Sequence, residues 1–196
     1  MTSTFALTYD YLCPFARIAH ETVVDGLAEG QPWTVEFRPF SLSQVHIEEG
    51  SPDVWDRTAG EDGTSGVLAL EWSLAVRDES PELFPAFHRA VFAARHDDAA
   101  DIGDPQVLAD VATGAGLDPA VISEIVASGL PRKRLAEEHT EAVVSWAVFG
   151  VPTFIVGDEA VFVRLMERGR IEDVEQVLQM LDWSQLNEFK RTRLDR

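Results

Sequence analysis

Cysteine is almost missing from this chain: Cys13 is the only one in 196 residues. Its solitude excludes an internal disulfide framework and any zinc site built from several thiolates. Basic residues are also scarce, 16 Lys and Arg against 34 Asp and Glu, so the formal charge is −18. That charge argues against nucleic acid and anionic membrane surfaces as partners. No apolar run reaches the roughly 18 residues needed to span a bilayer, and Met1 to Ala6 lacks a basic stretch followed by an apolar one. The expected compartment is therefore the cytoplasm. Internal repeats and low-complexity tracts are missing too. What remains is ordinary for a folded protein, 45% hydrophobic and 26% charged, and long enough to bury a substantial core.

Phe5 to Leu12 (FALTYDYL) reads as a buried strand that stops at Cys13-Pro14, where proline suits the first turn of a helix. Phe15, Ile18, Ala19, Thr22, Val23 and Leu27 then recur at helical spacing until Gly26 and Gly30 close the segment. Trp33 to Phe40 alternates apolar and polar residues as a strand does, so the first fifty residues spell β-α-β with a parallel crossover. From Ser51, past a Gly-rich loop at Ala59 to Gly66, about eighty residues lack any strand pattern. Ser80-Pro81, Asp104-Pro105 and Asp118-Pro119 are expected helix starts, each a capping side chain followed by proline, with Pro131 as a further candidate. Gly103, Gly114, Gly116 and Gly129 fall at expected helix ends. Thr153 to Val156 and Ala160 to Val163 read as an antiparallel hairpin around Gly157-Asp158-Glu159. Ile171 to Leu181 carries its apolar residues on one helical face.

This order is that of an α/β thioredoxin fold interrupted by an inserted all-helical domain. The expected division is 1–50 with 147–196 for the thioredoxin-like part and 51–146 for the insertion. Cys13 then stands at the first strand-to-helix turn, where free N–H groups and the helix dipole favour thiolate, and its pKa is expected below the free-cysteine value of about 8.5. Arg17 and His20 lie on the same helical face. Arg17 is a candidate contact for the thiolate or an anionic cofactor, with a surface salt bridge as the alternative, and His20 is expected to be structural. Asp10 reads as a solvated strand-end carboxylate or cap, or else as a group that opposes the thiolate and relays protons. His46, His88, His96 and His139 show no spacing for a metal site, and none is expected. Among the aromatics Trp55, Trp72, Phe84, Phe87 and Phe92, most are expected in the core, and one or more are candidates to face a cleft above Cys13.

Tyr-Asp-Tyr-Leu-Cys-Pro-Phe-Ala at 9–16, Gly-Val-Pro-Thr-Phe at 150–154 and the tail Phe189-Lys190-Arg191-Thr192-Arg193 together resemble the DsbA-like thioredoxin-fold oxidoreductases. The tail is similar to that of the actinobacterial members that include mycothiol-dependent reductases. The resemblance implies that Cys13 is the attacking cysteine, that Pro14 and Phe15 are the variable dipeptide, and that Val151-Pro152 is a cis pair whose backbone holds substrate beside the sulfur. Ala16 departs from the pattern, for the family usually has a resolving cysteine there. A monothiol cycle is then expected, in which a small-molecule or protein disulfide is attacked by Cys13 and the mixed disulfide is released by a low-molecular-weight thiol, mycothiol or glutathione, as cosubstrate. No tightly bound cofactor is expected, and a homodimer stays open. Two alternatives stand beside this reading: a thiol-dependent transferase or isomerase like the kappa-class glutathione transferases and hydroxychromene-carboxylate isomerases, and a non-catalytic binding module.

Overall fold

The computed structural model describes residues 3–58, 64–183 and 185. β1 (Ser3–Tyr9) is buried along its last five residues, as a strand must be when it runs through the middle of a sheet covered on both faces. It pairs in parallel with β2 (Trp33–Pro39) from Ser3↔Trp33 to Tyr9↔Pro39, and α1 (Pro14–Ala28) makes the crossover. On its other side β1 pairs antiparallel with β3 (Thr153–Val156), which turns through Gly157-Asp158 into β4 (Glu159–Phe162), giving the order β2-β1-β3-β4. The sequence expectation carried β1 on to Leu12. It ends at Tyr9 because the Asp10 carboxylate accepts the Leu12 N–H at 2.9 Å and folds the chain into a turn.

α1 does not end at Gly26. Gly30, at φ +83°, terminates it: the Gly30 N–H donates to the Leu27 carbonyl at 3.1 Å and the Gln31 N–H to that of Gly26 at 2.9 Å, the paired bonds of a Schellman stop. Gly26 serves packing instead. A Cβ there would stand 2.3 Å from the Trp33 indole, so the missing side chain lets α1 lie against the start of β2.

Between β2 and β3 the chain is helical: a short α2 (Leu42–Val45), a 3-10 turn at Val54–Asp56, then α3 (Thr64–Glu79), α4 (Phe84–His96), α5 (Pro105–Gly114), α6 (Pro119–Ala127) and α7 (Leu130–Trp146). Asp104 and Asp118 cap α5 and α6 by accepting the N–H of Gln106 and Ala120. Ser80-Pro81, expected to open a helix, does not. Ser80 continues the end of α3 with its N–H on Val76, and the proline seated in the first turn of α4 is Pro85. α8 (Ile171–Leu181) packs against α1 and the β3-β4 hairpin. The Gly-rich loop, apart from Thr64 to Gly66, and the basic tail lie outside the described residues.

The helical block is joined to the sheet by a chain of neutral polar groups in the interior. The Thr8 carbonyl can only accept, so His20 donates Nε2–H to it at 3.0 Å and presents a bare Nδ1. His88 donates Nε2–H to that nitrogen at 2.9 Å, and its own Nδ1 accepts the Tyr11 hydroxyl at 2.7 Å. One proton pattern satisfies every link, and a further proton breaks it. Burial holds His20 down at about 3 and His88 well below its ordinary value.

Two outcomes are expected of the fold. In Gly26→Ala the gain in helix propensity is outweighed by the collision with Trp33, and the unfolding free energy drops by about 1 kcal/mol; an unchanged or higher denaturation midpoint contradicts the close approach. Because the unfolded histidines take up protons below about pH 6.5 while folded His20 and His88 do not, stability is lost as pH falls. Asp10, whose raised pKa works the other way between about 4 and 6, offsets part of it, so these three groups lose on the order of 2 kcal/mol from pH 7 to pH 5, and buried His139, lowered to about 4, adds to the loss. A denaturant midpoint that holds or rises over that interval rules the neutral chain out.

Candidate active site

Cys13 is the N-cap of α1, with Pro14 at the first helical position behind it. The Ala16 N–H donates to its Sγ at 3.5 Å, as the helix start dictates, and the thiol in turn donates to the Val151 carbonyl, also at 3.5 Å. Val151 belongs to the segment entering β3, and the Val151–Pro152 peptide is cis. Two bonds pin this segment. The Thr153 N–H donates to Thr8 Oγ1 at 2.9 Å, tying it to β1, and the Val163 N–H donates to the Pro152 carbonyl at 3.2 Å, tying it to the end of β4. The sulfur and the X-Pro edge are therefore set by the sheet.

The thiol is not depressed as expected. Cys13 is only 8% exposed, and burial pushes its pKa above the ordinary 9.0. The N–H groups of Ala16 and Phe15 pull it down, but the Ala16 contact is long, and helix-end effects of this kind are worth about 0.3–1 kcal/mol. Asp10 raises it further and Arg164 lowers it. Desolvation wins.

Asp10 is fully buried rather than solvated. Its two oxygens accept the N–H of Leu12 at 2.9 Å and of Leu42 at 2.7 Å, so it caps the active-site turn and the start of α2 at once, while burial lifts its pKa to about 6. α3 covers it: a Cβ on Gly66 would meet the Leu12 side chain at 2.8 Å and Asp10 Oδ1 at 3.5 Å. Hydrophobic packing over a carboxylate leaves no mark in a sequence, which is why the turn residue read as a surface cap.

Arg17 is turned away from the sulfur. Its Nε bonds Glu21 at 2.8 Å and its two terminal nitrogens grip Asp97 at 2.8 and 2.5 Å, clamping α1 to the end of α4. His20 lies in the interior chain. Trp72, Phe84, Phe87 and Phe92 are core residues, and Trp55 packs on His139, so none of the expected aromatics lines a cleft at Cys13. Others do. Phe15 is half-buried beside Cys13; Phe162 lies opposite Thr153 in the hairpin register; and Phe149, 68% exposed, packs on Phe162 with ring centres 5.2 Å apart. The Arg164 guanidinium sits 4.9 Å from the Phe15 ring and 5.3 Å from that of Phe162. Gly150 makes room for the group, since a Cβ there would press on Phe162 at 3.4 Å. Phe149 adjoins the Gly-Val-Pro motif and was legible from it, whereas Phe162 joins the site through strand pairing and Arg164 through its contact with the Phe15 and Phe162 rings. Among the described residues no group of three His, Cys, Asp or Glu side chains gathers to hold a metal, and no helix is long and apolar enough to cross a membrane.

Solved structures share this architecture. A 2-hydroxychromene-2-carboxylate isomerase aligns over 91% of this chain and 96% of its own at 18% identity, with a TM-score of 0.65. A putative protein disulfide isomerase from Nitrosomonas europaea aligns over 94% and 100% at 16% identity, with a TM-score of 0.67. The cytosolic disulfide reductase DsbM from Pseudomonas aeruginosa, solved with GSH, aligns over 90% and 98% at 18% identity, with a TM-score of 0.63. No curated protein matches the chain in sequence. The model of the DSBA-like thioredoxin domain matches residues 6–179, from within β1 to within α8, and the chain belongs to that family.

Proposed function

We propose that this protein is a cytoplasmic monothiol thiol-disulfide oxidoreductase. The observation that supports it is the position of the chain's lone thiol, at the start of α1 and 3.5 Å from the carbonyl that precedes the cis proline. In the first step the Cys13 thiolate attacks one sulfur of a small-molecule or protein disulfide, forming a mixed disulfide and expelling the other sulfur as thiolate. In the second step a low-molecular-weight thiolate, mycothiol or glutathione, attacks the substrate sulfur of that mixed disulfide and returns Cys13 as thiolate. Electrons balance: one thiol is consumed and another released while the disulfide changes hands. Pro14 and Phe15 bound the substrate on one side and Val151-Pro152 on the other. Ala16 is fully buried and has no sulfur to offer, so release depends on the outside thiol.

The raised thiol pKa fits attack on substrate only if the proton leaves at the moment of reaction. Asp10 is the group suited to influence that loss, since burial raises its pKa to about 6 and it caps the same turn. The same observation favours a second reading, a thiol-dependent transferase or isomerase. A Cys13 that keeps its proton, and already donates it to Val151, is suited to donate a hydrogen bond to a bound cofactor's sulfur instead of attacking. Turnover in which no disulfide is consumed or formed marks that case.

Cys13→Ser is expected to abolish reduction of a small disulfide, and wild type to require added thiol. Ala16→Cys should let the mixed disulfide collapse within the first turn of α1, releasing the substrate thiols once without added thiol, while the disulfide formed between Cys13 and the introduced cysteine still needs that thiol for further turnover. Undiminished activity in Cys13→Ser overturns the oxidoreductase reading. For the pH dependence, the rate of Cys13 alkylation in wild type should rise to a midpoint above the ordinary 9.0, and Asp10→Asn, by removing a negative charge that opposes the thiolate, should bring the midpoint down. Each pH unit of lowering multiplies the thiolate fraction at neutral pH about tenfold. A midpoint that stays or climbs in Asp10→Asn refutes the coupling.

A further inference from the structure

Arg164 is unlike most arginines of this acidic chain. Arg17, Arg38, Arg77, Arg89 and Arg132 each meet a carboxylate. Arg164, exposed to solvent, has none among the described residues; its guanidinium is held by the Phe15 and Phe162 rings. The two rings come from the two segments that meet at the thiol, the start of α1 and the β3-β4 hairpin. Phe15 is two residues beyond the sulfur, and Phe162 stands opposite Thr153, the residue after the cis proline. Rings hold a guanidinium by its π face, whereas its five N–H donors point outward in its own plane, so this mode of support leaves the fork open for a carboxylate from outside. Among the described residues Arg164 is the cation that acts on the thiol, for Arg17 is committed to Asp97 and Glu21.

We propose that Arg164 is a specificity residue that binds a carboxylate on the thiol or disulfide reacting at Cys13, so that the site prefers anionic, carboxylate-bearing partners over neutral or cationic ones of the same size. This rests on the oxidoreductase reading for the identity of the partner, but not for the anion site itself. The net charge of −18 makes the preference more telling, because the field of the whole molecule repels anions and only a local cation reverses it.

The test compares alkylation of Cys13 by iodoacetate and by uncharged iodoacetamide, each ratio referred to that of a free thiol. Any change in thiolate fraction affects both reagents equally and cancels. The ratio should fall about fivefold in Arg164→Gln, the size of a single charge contact in water. In parallel, 3,3′-dithiodipropionate, bis(2-hydroxyethyl) disulfide and cystamine are compared as substrates with a fixed added thiol. Wild type should turn over the dicarboxylate best, and Arg164→Gln should lose more on it than on the neutral disulfide. An alkylation ratio that Arg164→Gln leaves unchanged overturns the anion site. If that ratio shifts as expected while none of the three disulfides is turned over, Arg164 stands as an anion site and the oxidoreductase reading falls. Equal losses on all three disulfides overturn its role in specificity.

Discussion

The interior chain from Tyr11 through His88 and His20 to the Thr8 carbonyl is the constraint on which the arrangement depends. Its members come from the active-site turn, α4, α1 and β1, so a single directed run of protons fixes how the helical block, the first helix and the central strand meet. Rings reinforce it: Tyr9, Phe37, Phe84 and Phe92 surround His88 at centre distances of 4.6 to 5.4 Å. A core made only of hydrocarbon at this junction would pack as well but would tolerate sliding, because dispersion has no direction. Here a shift of α1 breaks a buried hydrogen bond, which costs about 1–3 kcal/mol, and α1 carries the sulfur.

Around that junction the outer contacts repeat the same task with charge. Arg17 joins α1 to the end of α4 through Asp97, and His96 donates to the Tyr11 carbonyl at 2.9 Å, so the stretch just before Cys13 is held from the insertion side as firmly as from the sheet. The residue that sequence reasoning offered to a cofactor is thus a strut of the scaffold. Its bidentate geometry suits that duty, since two parallel bonds fix orientation as well as distance.

What the sequence disclosed and what it hid divide along a physical line. Strand-helix-strand at the start, capped prolines at Asp104 and Asp118, the hairpin and the apolar face of α8 are local patterns, each written within a dozen residues. The motif around Cys13 and that around Val151-Pro152 were legible for the same reason. Burial was not. Whether Asp10 meets water depends on α3 lying over it, more than fifty residues away, and whether a helix start depresses a thiol depends on how much water the rest of the fold leaves around it. Phe162 and Arg164 were missed because the folding back of the β3-β4 hairpin, not proximity in the chain, brings this segment towards Cys13. Ser80-Pro81 misled because a capping pair reads the same whether it opens a helix or follows one, and the turn at Leu83 decided in favour of Pro85.

A single thiol beside the cis proline has a further consequence. With no second cysteine anywhere in the sequence, this chain has nowhere internal to store a disulfide. Any disulfide it makes joins it to another molecule, so every such form of the protein has a mass that names what it met. Dithiol relatives can pass through an oxidised state that keeps no trace of its origin; here the oxidised protein is a record of the thiol pool around it.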